Sequence, residues 1–162
     1  MNSARPDDGS ARLVELFPGD NATDAAFRGL DWTATELGPV ESWPDELVTA
    51  VRTVLPSTIP MLIWWGPHLV QIFNHAYTNF LGAKFPEAAG QRASDCWSEM
   101  WDYVGGLCAQ VVDGREPVHG VRQMFVMERY GYPEETYWTF SYSPIFGPNR
   151  TVLGVFVATT EV

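Results

Sequence analysis

The sequence predicts an α+β fold whose elements follow one another as a helix, two strands, several helices and three strands. In residues 137–145, large aromatic side chains alternate with small hydroxyl side chains, a pattern typical of a half-buried antiparallel strand. Residues 151–160 are mainly β-branched and apolar, and residues 146–149 between the two runs are rich in turn-forming types. We therefore expect residues 134–162 to form a hairpin at the centre of a sheet, with the rest of the chain covering it.

The length of the chain is that of one domain, with at most one flanking segment. Its 162 residues are enough to bury a core without help from a disulfide or a metal. We expect residues 1–30 to form a flexible or helical extension and residues 31–162 to form the domain. Cys96 and Cys108 are twelve positions apart, a spacing that indicates neither a metal site nor a disulfide framework.

The charge and hydropathy patterns narrow the classes of partner and the cellular setting. The net charge is −10 at pH 7, and residues 1–50 contain ten acidic residues against three arginines. Nucleic acid and anionic membrane surfaces are therefore not expected as partners. No apolar run approaches the length of a membrane span, and the N-terminal residues lack the apolar region of a secretory signal. These features predict a cytoplasmic protein.

The first half of the chain is predicted to contain helices followed by a β-hairpin. Apolar residues recur at helical spacing within residues 42–55, and the hydroxyl group of Ser42 can cap that helix. Residues 60–65 and 69–73 are apolar runs on either side of Gly66-Pro67-His68. This arrangement indicates two strands joined by a tight turn.

Helices are predicted between the two groups of strands. Asn74 can cap a helix over residues 75–81, which Gly82 ends. Residues 94–112 carry a broad apolar side at helical spacing, with a break expected at Gly105-Gly106.

The remaining strand signals lie in the C-terminal third. Residues 118–129 are predicted to form a strand, and residues 124–127 are apolar on both faces. That indicates burial on both sides of the strand or contact with a partner. Pro144 is expected to end the first strand of the C-terminal hairpin, because proline cannot donate to a ladder.

Several short motifs add specificity through their order and spacing, although each motif alone is weak. They are Ile63-Trp64-Trp65-Gly66-Pro67, Ile72-Phe73-Asn74, Ala76-Tyr77, Leu81-Gly82, Lys84-Phe85-Pro86, Gly90, Trp97-Ser98-Glu99-Met100-Trp101, Glu135 through Ile145, Gly154-Val155-Phe156 and Thr159-Thr160-Glu161. In this order they resemble the bacterial PAS domains of sensor histidine kinases and related signalling proteins. The resemblance covers about residues 31–162.

The resemblance implies a five-stranded antiparallel sheet with crossover helices on one face and residues 42–55 as an N-terminal flanking helix. It also implies signalling by a ligand or partner rather than catalysis. The implied partners are a second copy of the chain, held through the N-terminal helix and the exposed sheet face, and an effector kinase or phosphatase. The sequence contains no phospho-acceptor histidine box and no ATP-binding motif, so any kinase activity would belong to that effector.

The resemblance further implies a pocket between the sheet and the crossover helices. Aromatic walls would suit a planar ligand such as a flavin or an aromatic metabolite. The alternative is that the same side chains simply fill the core. The candidate lining residues are Ile63, Trp65, Ile72, Tyr77, Phe80, Trp97, Trp101, Leu107, Met124, Val126, Trp138, Phe140 and Tyr142.

Two cofactor types found in the family do not match this sequence. Flavin photoreceptor members carry Gly-x-Asn-Cys-Arg-Phe-Leu-Gln, whereas Cys96 comes three positions late after Gly90 and the Asn and Gln partners are missing. Haem-binding members use a histidine on the long crossover helix, and residues 94–112 contain none. The identity of any cofactor is therefore left open.

Two other functions are kept as alternatives. A purely structural dimerisation module with a filled core would need no ligand. A small α+β enzyme would need a titratable group with a shifted pKa in the same concavity, and His75 and Cys96 are the candidates. No nucleophile elbow, phosphate-binding loop or metal-ligand spacing in the sequence supports catalysis.

Overall fold

The computed structural model describes residues 7–162, with side chains described from Ala11 onward. Residues 1–6, which belong to the predicted N-terminal extension, lie outside the described residues. The helices are α1 (Asp7–Leu16), α2 (Ala22–Gly29), α3 (Asp45–Val54), α4 (Ala93–Cys96) and α5 (Trp101–Gly114). The strands are β1 (Met61–Trp65), β2 (Val70–Phe73), β3 (Val118–Met127), β4 (Glu134–Phe146) and β5 (Val152–Glu161). Short 3₁₀ turns span Trp32–Ala34, Val40–Ser42, His75–Phe80, Gly82–Lys84, Ser98–Met100 and Pro148–Arg150.

The five strands form one antiparallel sheet in the order β2-β1-β5-β4-β3. The C-terminal strand β5 therefore lies at the centre, between β1 and β4. The predicted α+β fold, with a five-stranded antiparallel sheet and crossover helices, is confirmed. Among the helices of residues 7–162, none combines the length and the apolar character needed to cross a membrane.

The register defines two faces of the sheet, because residues directly opposite each other in neighbouring strands share a face. Trp64 of β1 lies opposite Gln71 of β2 and Val155 of β5. The Trp64 ring contacts Trp101 of α5 at a centroid distance of 6.2 Å. We call this side the inner face; it is covered by residues 75–114, the crossover segment. The opposite side is the outer face, where α3 packs against β1.

The prediction that Pro144 ends its strand is wrong, since β4 continues to Phe146. Pro144 lies opposite Val155 of β5. On the other side of β4, β3 pairs only as far as Tyr142. At Pro144 that side of β4 is therefore an edge, where the missing N–H of proline is tolerated.

The predicted flanking helix is present, but it begins later than residue 42. Helix α3 starts at Asp45, with Pro44 in the N-cap position and no side-chain cap. Ser42 instead lies in a 3₁₀ turn, where its hydroxyl donates to the Pro39 carbonyl oxygen at 2.8 Å. The predicted Ser42 cap is thus wrong, because this turn already uses the hydroxyl group.

The crossover helix is interrupted at Trp97 and not at Gly105-Gly106. Helix α5 runs unbroken through both glycines. A Cβ atom on Gly105 would lie 2.7 Å from the Trp101 indole nitrogen. The glycine therefore allows the Trp101 ring to pack closely against the helix.

The N-terminal helices bring aromatic side chains into the core. Phe17 and Phe27 are fully buried and stack at a centroid distance of 5.0 Å. Phe27 meets Phe73 of β2 edge to face, also at 5.0 Å, and Trp32 stacks on Phe17 and Phe27 at 6.3 and 6.1 Å. The helical part of the predicted extension thus packs against the sheet, while the domain boundary at residue 30 stays a prediction.

The buried amide of Asn74 joins three elements at the end of β2. Its side chain is completely buried and makes five hydrogen bonds. The amide nitrogen donates to the carbonyl oxygens of Val54, Ser57 and Ile59 at 3.2, 3.3 and 2.7 Å, and the amide oxygen accepts from the backbone N–H groups of Met61 and Tyr77 at 3.2 and 3.1 Å. The end of α3, the start of β1 and the start of the crossover segment are thereby held together.

Replacement of Asn74 by alanine is expected to lower the free energy of unfolding by at least about 3 kcal/mol, because several buried backbone groups would lose their partner. Urea unfolding followed by circular dichroism measures this change. The exposed Asn79 provides the matched control, since Asn79→Ala is expected to change stability by less than about 0.5 kcal/mol. Equal effects of the two substitutions would contradict the role assigned to Asn74.

Candidate functional site

A small interior cavity lies between the inner face of the sheet and the crossover segment. Its volume is about 30 Å³, enough to hold a molecule of the size of water. The walls come from β1, β3, β4 and β5 on one side and from the crossover segment on the other. The lining residues are Trp64, Tyr77, Trp97, Met100, Phe125, Met127, Trp138, Phe140, Tyr142, Val157 and Thr159.

Five of the thirteen candidate pocket residues line this cavity: Tyr77, Trp97, Trp138, Phe140 and Tyr142. Three other candidates lie in the layer around it. The Phe80 ring meets Trp138 edge to face at a centroid distance of 4.7 Å. Trp101 meets Trp64 in the same way at 6.2 Å, and the partly buried Leu107 packs against the core.

Ile63, Trp65 and Ile72 do not reach the cavity, because they lie on the outer face. Ile63 and Ile72 are opposite each other in the β1–β2 register, on the face that alternates with Trp64. Trp65 shares a surface groove with Leu47 of α3. Strand β1 is apolar on both faces, so the alternation of its side chains does not reveal which face points inward.

Met124 and Val126 also lie on the outer face, and both are more than two-fifths exposed. A register shift between Gly120 and Gln123 inserts an extra residue into β3. Arg122, inside this bulge, has a positive φ of 51°. Because side chains alternate along a strand, one extra residue moves every following side chain to the opposite face.

Six lining residues were not among the candidates: Trp64, Met100, Phe125, Met127, Val157 and Thr159. Phe125 and Met127 point inward because of the bulge, and Trp64 points inward in place of Trp65. Gly120 was the one available signal of a bulge, since glycine inside a strand often marks one. Val157 and Thr159 lie on β5, whose predicted place at the centre of the sheet is confirmed. The run is largely apolar on both faces, so its alternation does not show which of its side chains point inward.

Three of the polar side chains that line the cavity, Trp64, Trp138 and Thr159, are hydrogen-bonded, and one fully buried donor is not. The Trp138 indole nitrogen donates to the Thr136 hydroxyl at 2.7 Å, and that hydroxyl donates to the Phe125 carbonyl oxygen at 2.9 Å. Among the described residues, the Trp97 indole nitrogen is the one buried side-chain nitrogen or oxygen without a hydrogen-bond partner. Trp97 is only 1% exposed. An unpaired buried donor costs about 1–3 kcal/mol, so an acceptor placed beside it would be favoured.

The acidic groups near the cavity are held in their neutral forms. Burial, followed by the charge of an ionised Tyr142, raises the pKa of Tyr77 well above its usual value. Burial likewise raises the pKa of Tyr142. Burial raises the pKa of Cys96 to about 11 and that of Cys108 to about 12. Both cysteines are therefore protonated thiols at neutral pH and poor nucleophiles.

The cavity offers no support for the enzyme alternative. Cys96 is an unreactive thiol for the reason just given. The Nδ1 atom of His75 and the Thr23 hydroxyl are hydrogen-bonded to each other at 2.9 Å, and His75 is not among the lining residues. A base within reach of an activated nucleophile, the usual arrangement for covalent catalysis, is not formed by these residues.

The cavity does not fit a large prosthetic group either. Small-molecule and cofactor pockets usually measure about 300–1,000 Å³, an order of magnitude above the 30 Å³ found here. Within residues 7–162, no group of three or more His, Cys, Asp or Glu side chains is placed to hold a metal ion. As it stands, the cavity takes a molecule of a few atoms.

An ionic clamp (Arg129, Glu134 and Glu161) ties the ends of the last three strands beside the cavity. Arg129 is 8% exposed and donates to both carboxylate oxygens of Glu161 at 3.0 and 2.7 Å. It also donates to Glu134 at 3.3 Å. The hydrogen bonds to Glu161 are the largest cause of the raised pKa of Arg129. The C-terminal end of β5 is thereby held against the end of β3.

Comparison with protein-family models gives no match, and no curated protein sequence matches this chain. Solved structures do match. The PAS domain of a protein from Colwellia psychrerythraea superposes with a TM-score of 0.53 at 13% identity, covering 73% of this chain and 98% of that chain. A variant of RsLOV gives 0.55 at 11% identity, covering 72% and 66%. The phage VqmA–DPO complex gives 0.50 at 16% identity, covering 71% and 52%.

The free energy of unfolding is expected to fall as the pH rises above 9, the ordinary pKa of a cysteine. The folded protein holds the protons of Tyr77, Cys96, Cys108 and Tyr142 more tightly than the unfolded chain. The unfolded state therefore loses protons first, and stability declines as the pH approaches the folded-state values of about 11 and 12. Urea unfolding at a series of pH values from 8 upward measures this decline.

Removing one of these groups should reduce the slope of the pH dependence. Tyr142→Phe keeps the ring and removes the titrating hydroxyl, so its stability is expected to fall less steeply above pH 9. Tyr137→Phe, at an exposed position of the same strand, is the matched control and should keep the original slope. A free energy that is flat across this range would contradict the burial effects described above.

Proposed function

We propose that this chain, which has the PAS fold, is a sensory module of signal transduction. In this proposal it binds a small ligand or a protein partner and relays the event to a kinase- or phosphatase-type effector. The observation that carries the proposal is the small cavity between the inner face and the crossover segment, which is lined by Trp97 with its unpaired indole N–H. A cytoplasmic setting belongs to the same proposal.

The chemistry of the cavity defines the kind of ligand proposed. A volume of about 30 Å³ favours a ligand of very few heavy atoms. The free indole N–H of Trp97 favours a hydrogen-bond acceptor on that ligand. The neutral Tyr77 and Tyr142 leave no charge in the walls to attract an ion. We therefore propose a small, uncharged ligand with one acceptor atom.

The position of β5 supports a route for the relay. Val157 and Thr159 of β5 line the cavity, and Thr159 precedes the clamped Glu161 by two positions. A ligand that displaces the cavity wall would act on the same strand that the clamp holds. We propose that occupancy of the cavity changes the stability of the Arg129–Glu161 contact and so the placement of the C-terminal end of β5.

A second candidate function, dimerisation with a filled core, is favoured by the outer face of β3 and β4. Met124, Val126 and Tyr137 are each more than two-fifths exposed there, and Met124 lies directly opposite Tyr137 in the register. Adjacent exposed apolar side chains on a sheet are typical of a protein contact surface. The two functions are compatible, because this surface and the cavity lie on opposite faces.

Native mass spectrometry of the chain, purified without denaturation, is expected to show a discrete additional mass beside the mass of the chain. Trp97→Phe should abolish the additional mass, because phenylalanine keeps an aromatic ring and lacks the N–H donor. Trp43→Phe is the matched control, since the Trp43 indole already donates to the Gly38 carbonyl oxygen. An additional mass that persists in Trp97→Phe would contradict the proposed site, and its absence from the native chain would leave partner binding as the sensing event.

Val126→Lys is expected to weaken self-association by about tenfold or more, because a charge would be buried at the centre of the apolar contact. Sedimentation velocity at a series of protein concentrations measures this. Gln110→Lys, at an exposed position on α5, introduces the same charge on the other side of the sheet and should leave association unchanged. A dimer that is unaffected by Val126→Lys would place the contact elsewhere.

A further inference from the structure

A second and larger concavity lies at the end of the sheet, away from the interior cavity. It is an open groove of about 790 Å³, bounded by the β1–β2 turn, the start of β5, the N-terminal end of α3 and the C-terminal half of α5. The groove and the interior cavity share no lining residue. The volume falls within the range of pockets that bind small organic molecules, about 300–1,000 Å³.

The walls of this end groove are mainly apolar. The apolar lining residues include Trp65, Leu153 and, on α5, Val112. Small residues keep the space open: a Cβ atom on Gly66 would meet nothing within 4 Å, and Ala109 is an exposed position on the facing helix. A ligand with an apolar body could therefore bury surface here without moving the backbone.

The charged side chains that line the end groove are all acidic. Glu46 and Asp113 are the charged side chains among its lining residues. Neither belongs to an ion pair among the described residues. The protein as a whole has a net charge of −10, which adds to the negative potential of a cleft with low-dielectric walls.

We propose that the end groove binds an organic cation: a protonated amine carried on an aromatic or aliphatic body. The apolar walls would take the body, and the two carboxylates would take the ammonium group. This inference is independent of the proposed interior ligand, because it rests on a different concavity with different lining residues. A neutral apolar molecule would gain nothing from the carboxylates, and an anion would be repelled by them.

Three probes with the same phenylethyl body test the charge requirement: phenethylamine, 2-phenylethanol and 3-phenylpropanoate. Each is titrated into the ¹⁵N-labelled full chain, and the amide signals are followed by NMR. Phenethylamine is expected to shift the signals of Gly66, Ala109 and Leu153, with an affinity on the order of millimolar for so small a molecule. The alcohol should bind several-fold more weakly, and the carboxylate should not bind.

Two variants test the assigned residues. Glu46→Gln combined with Asp113→Asn should weaken phenethylamine binding by up to about fivefold for each carboxylate removed, since an exposed ion pair contributes at most about 1 kcal/mol. Glu87→Gln combined with Asp102→Asn is the matched control, because it makes the same change in charge at exposed positions outside the groove. The control should bind phenethylamine as the unaltered chain does. The affinity of the control and that of the unaltered chain for phenethylamine should both fall when salt is added.

Ala109→Trp tests the location, because a large side chain at this exposed helix position would fill the groove without disturbing the core. Far-ultraviolet circular dichroism checks that the variant is folded, and binding of phenethylamine should be lost. Equal binding of the amine and the alcohol would overturn the proposal. So would binding that survives Ala109→Trp, shifts confined to residues that line the interior cavity, or the absence of any shift with phenethylamine.

Discussion

The buried amide of Asn74 is the interaction on which the rest of the structure depends. It holds the end of α3, the start of β1 and the start of the crossover segment through five hydrogen bonds. A second buried amide acts three residues earlier: Gln71 accepts from the Trp64 indole at 3.1 Å and donates to the Ala88 carbonyl oxygen at 2.9 Å. Together the two amides fix the crossover segment over the inner face, because each would be costly to leave unpaired.

The aromatic packing under that segment determines how little space is left inside. Phe80 and Trp138 meet at 4.7 Å and Trp64 and Tyr142 at 5.3 Å, in both cases edge to face. Rings packed in this way fill volume efficiently and specify their own geometry. The result is a nearly filled core with a small cavity beside the unpaired Trp97 indole.

The two candidate binding regions differ in chemistry for a structural reason. The interior cavity lies between the sheet and the crossover segment, and the titratable groups near it are kept neutral by burial. The end groove opens at the edge of the same layers, where Glu46 and Asp113 stay in contact with solvent. The ligands proposed for the two regions differ accordingly: a small neutral molecule for the interior cavity and a larger cation for the end groove.

The sequence by itself determined the element types, the order of strands and crossover, and much of the core. The alternation that places Trp138, Phe140 and Tyr142 on one face could be read directly from the sequence. In a strand with one polar face, large apolar residues recur at every second position. Only the tertiary structure decided which residues of β1 and β3 reach the cavity. Strand β1 is apolar on both faces, so its sequence shows no alternation of polar and apolar residues. In β3, the bulge between Gly120 and Gln123 turns the side chains of Met124 and Val126 to the outer face. The end groove was equally invisible in the sequence, because α3, α5 and β5 are far apart in the chain and only folding brings them to one end of the sheet.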